Sequence, residues 1–207
     1  MVSVLLRVAY DGTDFHGYAR QKPRPDGVEI RTVQREIERA LSTLYKTPLR
    51  SRAASRTDAG VHAAGQLVSF DPPLHIPMPG LVRGLNTQLP GDIAITAAWE
   101  QASDVSVRHG TEGKYYRYRI RCTEVLDPMA RRTEWHLSRR LDPRPMQEAA
   151  RRIWREGGQV VFGGWKAEQS LARVLKEEVK TLGEPLRKPG TQKHEQDVWL
   201  YCRPAEI

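Results

Sequence analysis

The segment at residues 56–63, RTDAGVHA, contains residue types that could do chemistry. Asp58 supplies a carboxylate, and Arg56 can keep that carboxylate ionised or contact a phosphate beside it. Gly60 permits a positive φ and a close backbone approach by a ligand. A loop carboxylate at the edge of a sheet can serve as a nucleophile or a general base. Because Asp-Ala-Gly strings are also common in plain turns, the segment by itself leaves both interpretations open.

His62 follows Asp58 by four residues and is a candidate general base. An imidazole in a tight loop more often satisfies a neighbouring backbone group than moves a proton. We therefore expect His62 to hold the loop in shape rather than to take part in a reaction.

Hydrophobic patterns predict the elements that must position this segment. Alternating apolar residues indicate a strand at residues 3–10, and two more strands flank the segment, one reaching residue 56 and one at residues 66–70. A helix is predicted from Thr32, which can cap it, to Pro48, which ends it. This mixture indicates an α+β fold with mostly antiparallel sheet. The remaining predictions are a helix near residues 81–89, an irregular proline-rich segment at 71–79, strands at 92–99, 114–121, 173–182 and 196–203, and a helix beginning at Asp142.

The strand predicted at residues 114–121 separates two kinds of side chain. One face carries Tyr116, Tyr118 and Ile120. The other face carries arginines, at positions 117, 119 and 121. The first face suits a core or a pocket, and the second suits solvent or phosphate. For Tyr118 we expect core packing.

Composition excludes several classes of protein. Hydrophobic residues make up 39% of the 207 residues, and the 16 glycines bring the apolar share into the range of a folded globular protein rather than a disordered one. No apolar run approaches the ~18–20 residues of a membrane helix. The two cysteines, Cys122 and Cys202, are too few for a disulfide framework or a zinc site. We expect a soluble, cytoplasmic protein with no membrane contact.

The net charge favours a polyanionic partner. Lysines and arginines number 33 against 25 acidic residues, a formal charge of +8, and such an excess favours nucleic acid. Basic residues gather around positions 20–24, 50–52 and 131–144. Each group could contact phosphates, which fix position without reading sequence, or could simply form a solvated surface.

The RTDAGVHA segment resembles the catalytic motif of the TruA family of tRNA pseudouridine synthases. Other segments carry the same resemblance in the same order along residues 4–121. They are YDGTDFHG at residues 10–17, RTVQ at 31–34, LNTQLPGDI at 85–93 and YRY at 116–118.

The resemblance implies a reaction and its residues. The family isomerises uridine to pseudouridine at positions 38, 39 and/or 40 in the anticodon arm of tRNA. Asp58 matches the essential aspartate, which attacks the uridine at the base or at the ribose anomeric carbon. Arg56 matches the arginine that helps displace the target base and pairs with the aspartate, and Tyr116 matches the tyrosine that stacks on the uracil. The resemblance implies no cofactor and no metal.

The resemblance also implies an architecture. We expect the pseudouridine-synthase fold, with two α/β halves whose mostly antiparallel sheets join into one sheet, flanked by helices and bearing a basic RNA-binding cleft. The halves are predicted at residues 1–104, with the catalytic loop, and 105–207. The implied partner is tRNA, and the implied assembly is a homodimer.

The second half departs from the family pattern. Residues 160–165, VVFGGW, stand where the family has a His-Asp-Phe type of motif, and the chain stops at Ile207 where family members continue. We therefore expect a C-terminal half that is truncated and lacks the arginine that pairs with the catalytic aspartate in the family. The alternative function is a non-catalytic RNA-binding homologue of the same fold. An unrelated ribosome-associated RNA-binding module would explain the charge but not residues 56–63.

Overall fold

The computed structural model describes residues 2–111, 114–140 and 195–202, and the fold is α+β. The chain divides into two compact units, Met1–Thr111 and Glu112–Ile207. The first unit contains strands β1, β2, β3 and β4 and helices α1 and α2, and the second contains strands β5, β6 and β7. Their bounds are β1 Val2–Tyr10, α1 Val33–Tyr45, β2 Ser51–Ala53, β3 Ala63–Phe70, α2 Met78–Gln88, β4 Ile93–Ala102, β5 Lys114–Cys122, β6 Trp135–Leu137 and β7 Glu195–Cys202.

The first unit is built on a four-stranded antiparallel sheet in the order β2-β3-β1-β4. Strand β1 is central and pairs with both neighbours, so that Leu6 lies opposite Val68 of β3 and Ala98 of β4. Its alternate residues from position 4 onward are buried in the core, as their alternation predicts, namely Val4, Leu6, Val8 and Tyr10. Because β1 is paired with a strand on each side, its C-terminal residue Tyr10 has a fixed position, and a loop that follows or contacts it can be held in place.

Both helices bury their apolar stripes in one hydrophobic core with this sheet. Helix α1 contributes Ile37 and Leu41, and α2 contributes Leu81 and Leu85, all almost fully buried. Each such side chain contributes about 1.5–3 kcal/mol when it leaves water. The predicted helices at these positions are confirmed, and the core supports the sheet from which the candidate catalytic loop extends.

The start of α1 differs from the prediction that Thr32 caps it. Thr32 occupies the N-cap position but makes no side-chain capping hydrogen bond. Instead, the N–H of Val33 donates to the Gly17 carbonyl (3.3 Å) and the N–H of Gln34 donates to the Tyr18 carbonyl (2.9 Å). A distant segment therefore satisfies the first amides of the helix, which removes the need for a side-chain cap. The same segment also contacts the candidate catalytic loop.

The strands on either side of the loop have different limits from those predicted. Strand β2 ends at Ala53 rather than near residue 56, and β3 begins at Ala63 rather than at residue 66. Between them, the Ala54 N–H still donates to the Leu67 carbonyl of β3 (2.9 Å), but backbone groups of Thr57 and Gly60 hydrogen-bond to the segment that follows β1. Helix α2 begins at Met78, inside the segment predicted to be irregular, because a proline is tolerated in a first helical turn.

The second unit contains a three-stranded sheet in the order β6-β5-β7. Strand β5 runs parallel to β6 and antiparallel to β7, with Tyr116 opposite Leu200. The strands predicted at residues 114–121 and 196–203 are confirmed, whereas β6 was not predicted. The predicted helix from Asp142 and the predicted strand at 173–182 lie outside the described residues.

Candidate active site

The loop between β2 and β3 carries Asp58, and its backbone is held on both sides of that residue. Before it, the Thr57 carbonyl accepts a hydrogen bond from the Tyr18 N–H (2.9 Å). After it, the Gly60 N–H donates to the Phe15 carbonyl (3.3 Å), and the Val61 N–H closes a turn by donating to the Asp58 carbonyl (3.2 Å). The bonds with Tyr18 and Phe15 fix the loop against the segment at residues 11–18, which follows the central strand.

Side-chain contacts reinforce the same junction. The Tyr10 and Thr57 hydroxyls form a hydrogen bond of 2.8 Å. Tyr10 is buried at the end of β1, and burial raises the pKa of its phenol, an effect opposed in part by the hydrogen bond with Thr57. The phenol therefore stays protonated at neutral pH and keeps its hydrogen-bonding capacity.

Gly12 allows the two segments to approach closely. A Cβ atom at this position would lie 2.0 Å from the Val61 carbonyl oxygen, far inside van der Waals contact. Any other residue must push the loop and the segment at residues 11–18 apart. Gly60, on the other side of the junction, has a φ of 81°, as its place in the motif predicted. Close packing thus explains Gly12, and the positive φ of the turn explains Gly60.

A second layer of contacts braces the segment at residues 11–18. Arg31 donates two hydrogen bonds to the Asp92 carboxylate, both 2.9 Å long, and these bonds raise the pKa of the guanidinium. The same guanidinium lies 4.0 Å from the centre of the buried Phe15 ring, a distance suited to a cation–π contact. The N–H of Asp11 donates to the Asp92 carbonyl (3.0 Å). The RTVQ and LNTQLPGDI motifs therefore act together in supporting the loop.

The Asp58 carboxylate itself is only partly buried and has no hydrogen-bond or ion-pair partner among the described residues of the first unit. Arg56 is exposed, and the structure brings the two side chains onto the same loop without forming an ion pair between them. The oxygens of Asp58 thus keep their lone pairs for an external group. A carboxylate in this state, on a backbone that is held in place, can act as a nucleophile or a base.

His62 engages the backbone of the first motif. The Gly12 N–H donates to Nδ1 of His62 (3.2 Å), and the same nitrogen lies 3.1 Å from an Asp11 carboxylate oxygen. This contact agrees with the expectation that the imidazole satisfies a backbone group and helps to hold the loop.

A buried carboxylate that the sequence analysis overlooked lies nearby on α1. Glu38 is 5% exposed, and its Oε1 accepts hydrogen bonds from the Ser51 N–H (2.9 Å) and from the Gln34 side-chain amide (3.1 Å). Its Oε2 pairs with Arg50 at 3.2 Å and with Arg20 at 3.7 Å. Its position in the sequence could have indicated this burial. Residue 38 precedes the buried residues 41 and 45 by one and two helical turns and so lies on the same face of α1.

Tyr116, the third predicted site residue, lies in β5 of the second unit. Its side chain is outside the described part of the structure. Its role at the site therefore stays a prediction.

Neither a metal site nor a membrane span is found within the described residues. No group of three or more histidine, cysteine, aspartate or glutamate side chains in the described ranges is arranged to hold a metal ion. No helix in the same ranges is long and apolar enough to cross a bilayer.

Comparison with known proteins gives consistent matches. Residues 7–110 match the family model described as tRNA pseudouridine synthase. The chain is 38% identical to tRNA pseudouridine synthase A of Geobacter sulfurreducens, over 90% of this chain and 75% of the relative. It is 44% identical to the Leuconostoc citreum protein of the same name, over 69% and 55%, and 35% identical to that of Myxococcus xanthus, over 88% and 65%. The chain thus spans between about half and three quarters of the length of these relatives.

Proposed function

The chain belongs to the family of tRNA pseudouridine synthases, an enzyme family, and we propose that it isomerises uridine to pseudouridine at position 38, 39 or 40 in the anticodon arm of tRNA. The observation that carries the proposal is the Asp58 carboxylate, which has no hydrogen-bond or ion-pair partner among the described residues and lies on a loop whose backbone is held on both sides. The matched motifs and the net charge of +8 support tRNA as the substrate.

Asp58 is proposed as the nucleophile. One carboxylate oxygen forms a bond to the uracil ring or to the ribose anomeric carbon, and the glycosidic bond between nitrogen-1 and that carbon breaks. The uracil turns over, a new bond forms from its carbon-5 to the anomeric carbon, and the bond to Asp58 is released. The proton on carbon-5 then leaves to solvent or to a base. Nitrogen-1 takes up a proton as carbon-5 loses one, so the product is an isomer of the uridine and the reaction consumes no co-reactant.

Arg56 is proposed to help displace the target base. A uridine within the arm must leave its stack before Asp58 can reach it, which costs a few kcal/mol. An exposed guanidinium two residues from Asp58 can occupy the vacated space or contact an adjacent phosphate. The absence of an ion pair between Arg56 and Asp58 leaves this cation available for the RNA.

Further parts of the proposal follow from family membership. Tyr116 is proposed to stack on the uracil, and the two halves, at residues 1–104 and 105–207, to join their sheets beside a basic cleft. We also propose a cytoplasmic homodimer. Light scattering of the purified chain tests the assembly, because a monomer mass at micromolar concentration would remove the dimer from the account.

The function is tested by release of tritium from unmodified tRNA labelled at uracil carbon-5. We expect the 207-residue chain to release tritium, Asp58→Ala to release none and Asp104→Asn, which changes an exposed carboxylate elsewhere in the first unit, to behave like the parent. Transcripts with cytidine in place of uridine at position 38, 39 or 40 then identify the target. Tight binding of tRNA without release by the parent would favour the non-catalytic RNA-binding alternative.

A further inference from the structure

Thr57, the residue before Asp58, is held at two of its atoms by two different elements. Its carbonyl accepts the Tyr18 N–H (2.9 Å), and its hydroxyl bonds the Tyr10 hydroxyl (2.8 Å). Tyr10 is 5% exposed and closes the central strand, where it pairs with Ala63 and with Ile93. Its position is therefore fixed by burial in the core and by strand pairing on both sides.

The Asp58 carboxylate has no hydrogen bond or ion pair that fixes its direction within the part of the chain that the structure describes. The direction of the carboxylate therefore depends on how the backbone is held on either side of Asp58. On the far side the turn from Asp58 to Val61 is closed by a backbone hydrogen bond. On the near side the only side-chain hydrogen bond of Thr57 within the described residues is the one with Tyr10.

We propose that Tyr10 is a positioning residue for the reaction, whose hydroxyl aims the Asp58 carboxylate by holding the Thr57 side chain. The inference rests on the proposed role of Asp58. Tyr10 does not touch the reacting atoms, and its effect passes through one hydrogen bond to the neighbour of the nucleophile. Small errors in the placement of a reacting group reduce turnover strongly while leaving binding almost unchanged.

Tyr10→Phe removes this hydroxyl and keeps the ring. Tyr45→Phe is the matched control, because Tyr45 is also a buried tyrosine of the same core, and its hydroxyl has no hydrogen-bond partner in the described part of the chain. We expect Tyr10→Phe to lower kcat about tenfold or more, with KM and tRNA affinity within about twofold, and Tyr45→Phe to leave kcat unchanged. Equal kcat values in the parent and Tyr10→Phe would overturn the proposal.

A double-mutant cycle separates positioning from general loosening. Thr57→Val should lower kcat as much as Tyr10→Phe does, the double variant should be no worse than either single variant, and Thr57→Ser, which keeps the hydroxyl, should restore most of the activity. Fully multiplicative losses would show that the two hydroxyls act independently and would contradict the proposal.

Hydrogen exchange tests the same contact without turnover. In Tyr10→Phe we expect faster exchange of the Gly60 and Val61 amides, both of which are hydrogen-bonded in the parent, and no change in Tyr45→Phe. Unchanged exchange would overturn the positioning role. If the parent releases no tritium but the exchange difference is found, the proposed function fails while the mechanical link from Tyr10 to the loop stands.

Discussion

Two carboxylates in the first unit have opposite surroundings. Glu38 of α1 is buried, and its oxygens are bound by a backbone amide, a side-chain amide and two arginines. Asp58 is partly exposed and has no partner for its oxygens in the described residues, although the backbone around it is held at several points. The Glu38 oxygens therefore already have hydrogen-bond and ion-pair partners, whereas for Asp58 only the position of the backbone is fixed.

This difference shows how the fold divides structural and chemical tasks. A carboxylate with filled lone pairs stabilises the fold, since removing it leaves buried donors without partners. A carboxylate that is placed by its neighbours but not bound by them can form new bonds at little cost in stability. Glu38 belongs to the first kind and Asp58 to the second, so substitutions at the two positions should affect different measurements.

Among changes that leave both carboxylates in place, the largest effect is expected from Gly12→Ala, which forces apart the two segments that hold Asp58. Its Cβ would lie 2.0 Å from the Val61 carbonyl oxygen. We expect kcat to fall about 100-fold or more through displacement of the loop, with a lower melting temperature. Gly91→Ala is the control, because a Cβ there meets nothing within 4 Å. A Gly12→Ala variant with parental turnover would show that this close approach is not needed.

Glu38→Ala should mainly reduce stability. It removes the acceptor of the buried Ser51 N–H and the counter-charge of Arg50, and we expect the free energy of unfolding to fall by about 2–3 kcal/mol. Glu36→Ala, which removes a single pair with an exposed arginine on the same helix, should cost less than about 1 kcal/mol. Urea denaturation measures both, and equal losses would contradict the structural role assigned to Glu38.

A smaller effect is expected from Arg31→Lys. Lysine keeps the charge but loses the two-point contact with Asp92 and the contact of the guanidinium with the Phe15 ring. We expect kcat to fall about three- to tenfold as the segment at residues 11–18 loosens, a loss equivalent to about 1 kcal/mol. Arg52→Lys is the control, since Arg52 also makes a two-point contact, with Asp71, but lies outside the loop. Similar kcat values for the two variants would remove Arg31 from the support of the site.

The smallest effect concerns pH and Asp71. Hydrogen bonds from Arg52 and then from Ser3 lower the pKa of this carboxyl below its ordinary value of 3.8. A lowered folded-state pKa stabilises the protein above the unfolded pKa, and this contribution disappears as the pH falls through the folded value. Because the Arg52 and Asp71 side chains are both more than half exposed, the ion pair contributes less than about 1 kcal/mol to stability. Asp71→Asn should therefore be slightly less stable than the parent at pH 6, with the difference shrinking below about pH 4. A constant difference over that range would contradict this origin.

Several parts of the fold were predictable because local patterns determine them. Alternation indicated β1 and β5, and the helical stripe that includes Ile37 and Leu41 indicated α1. The cap of α1 was not predictable, because its first amides are satisfied by carbonyls at residues 17 and 18, far away in the sequence. The limits of the loop were missed for the same reason, since its backbone partners come from another segment.

The candidate site was predictable in its residue types but not in its contacts. The motif identified Asp58 and Arg56, but nothing local indicated that the two side chains stay apart or that Tyr10 bonds Thr57. Glu38 was overlooked because a charged residue on a helix is usually exposed. Its burial depends on contacts with Ser51 and Arg50, which lie outside the helix. No local sequence pattern indicates those contacts.

The most direct test of this account compares Asp58→Asn with Glu38→Gln, because both changes replace a carboxylate by an amide of the same shape. Single-turnover tritium release and thermal melting are measured on each variant. We expect Asp58→Asn to lose more than about 1000-fold in rate with a parental melting temperature, and Glu38→Gln to melt earlier while keeping a rate within about threefold of the parent. Parental release by Asp58→Asn, or equal losses of rate in the two variants, would contradict the division between the carboxylate that reacts and the carboxylate that supports the fold.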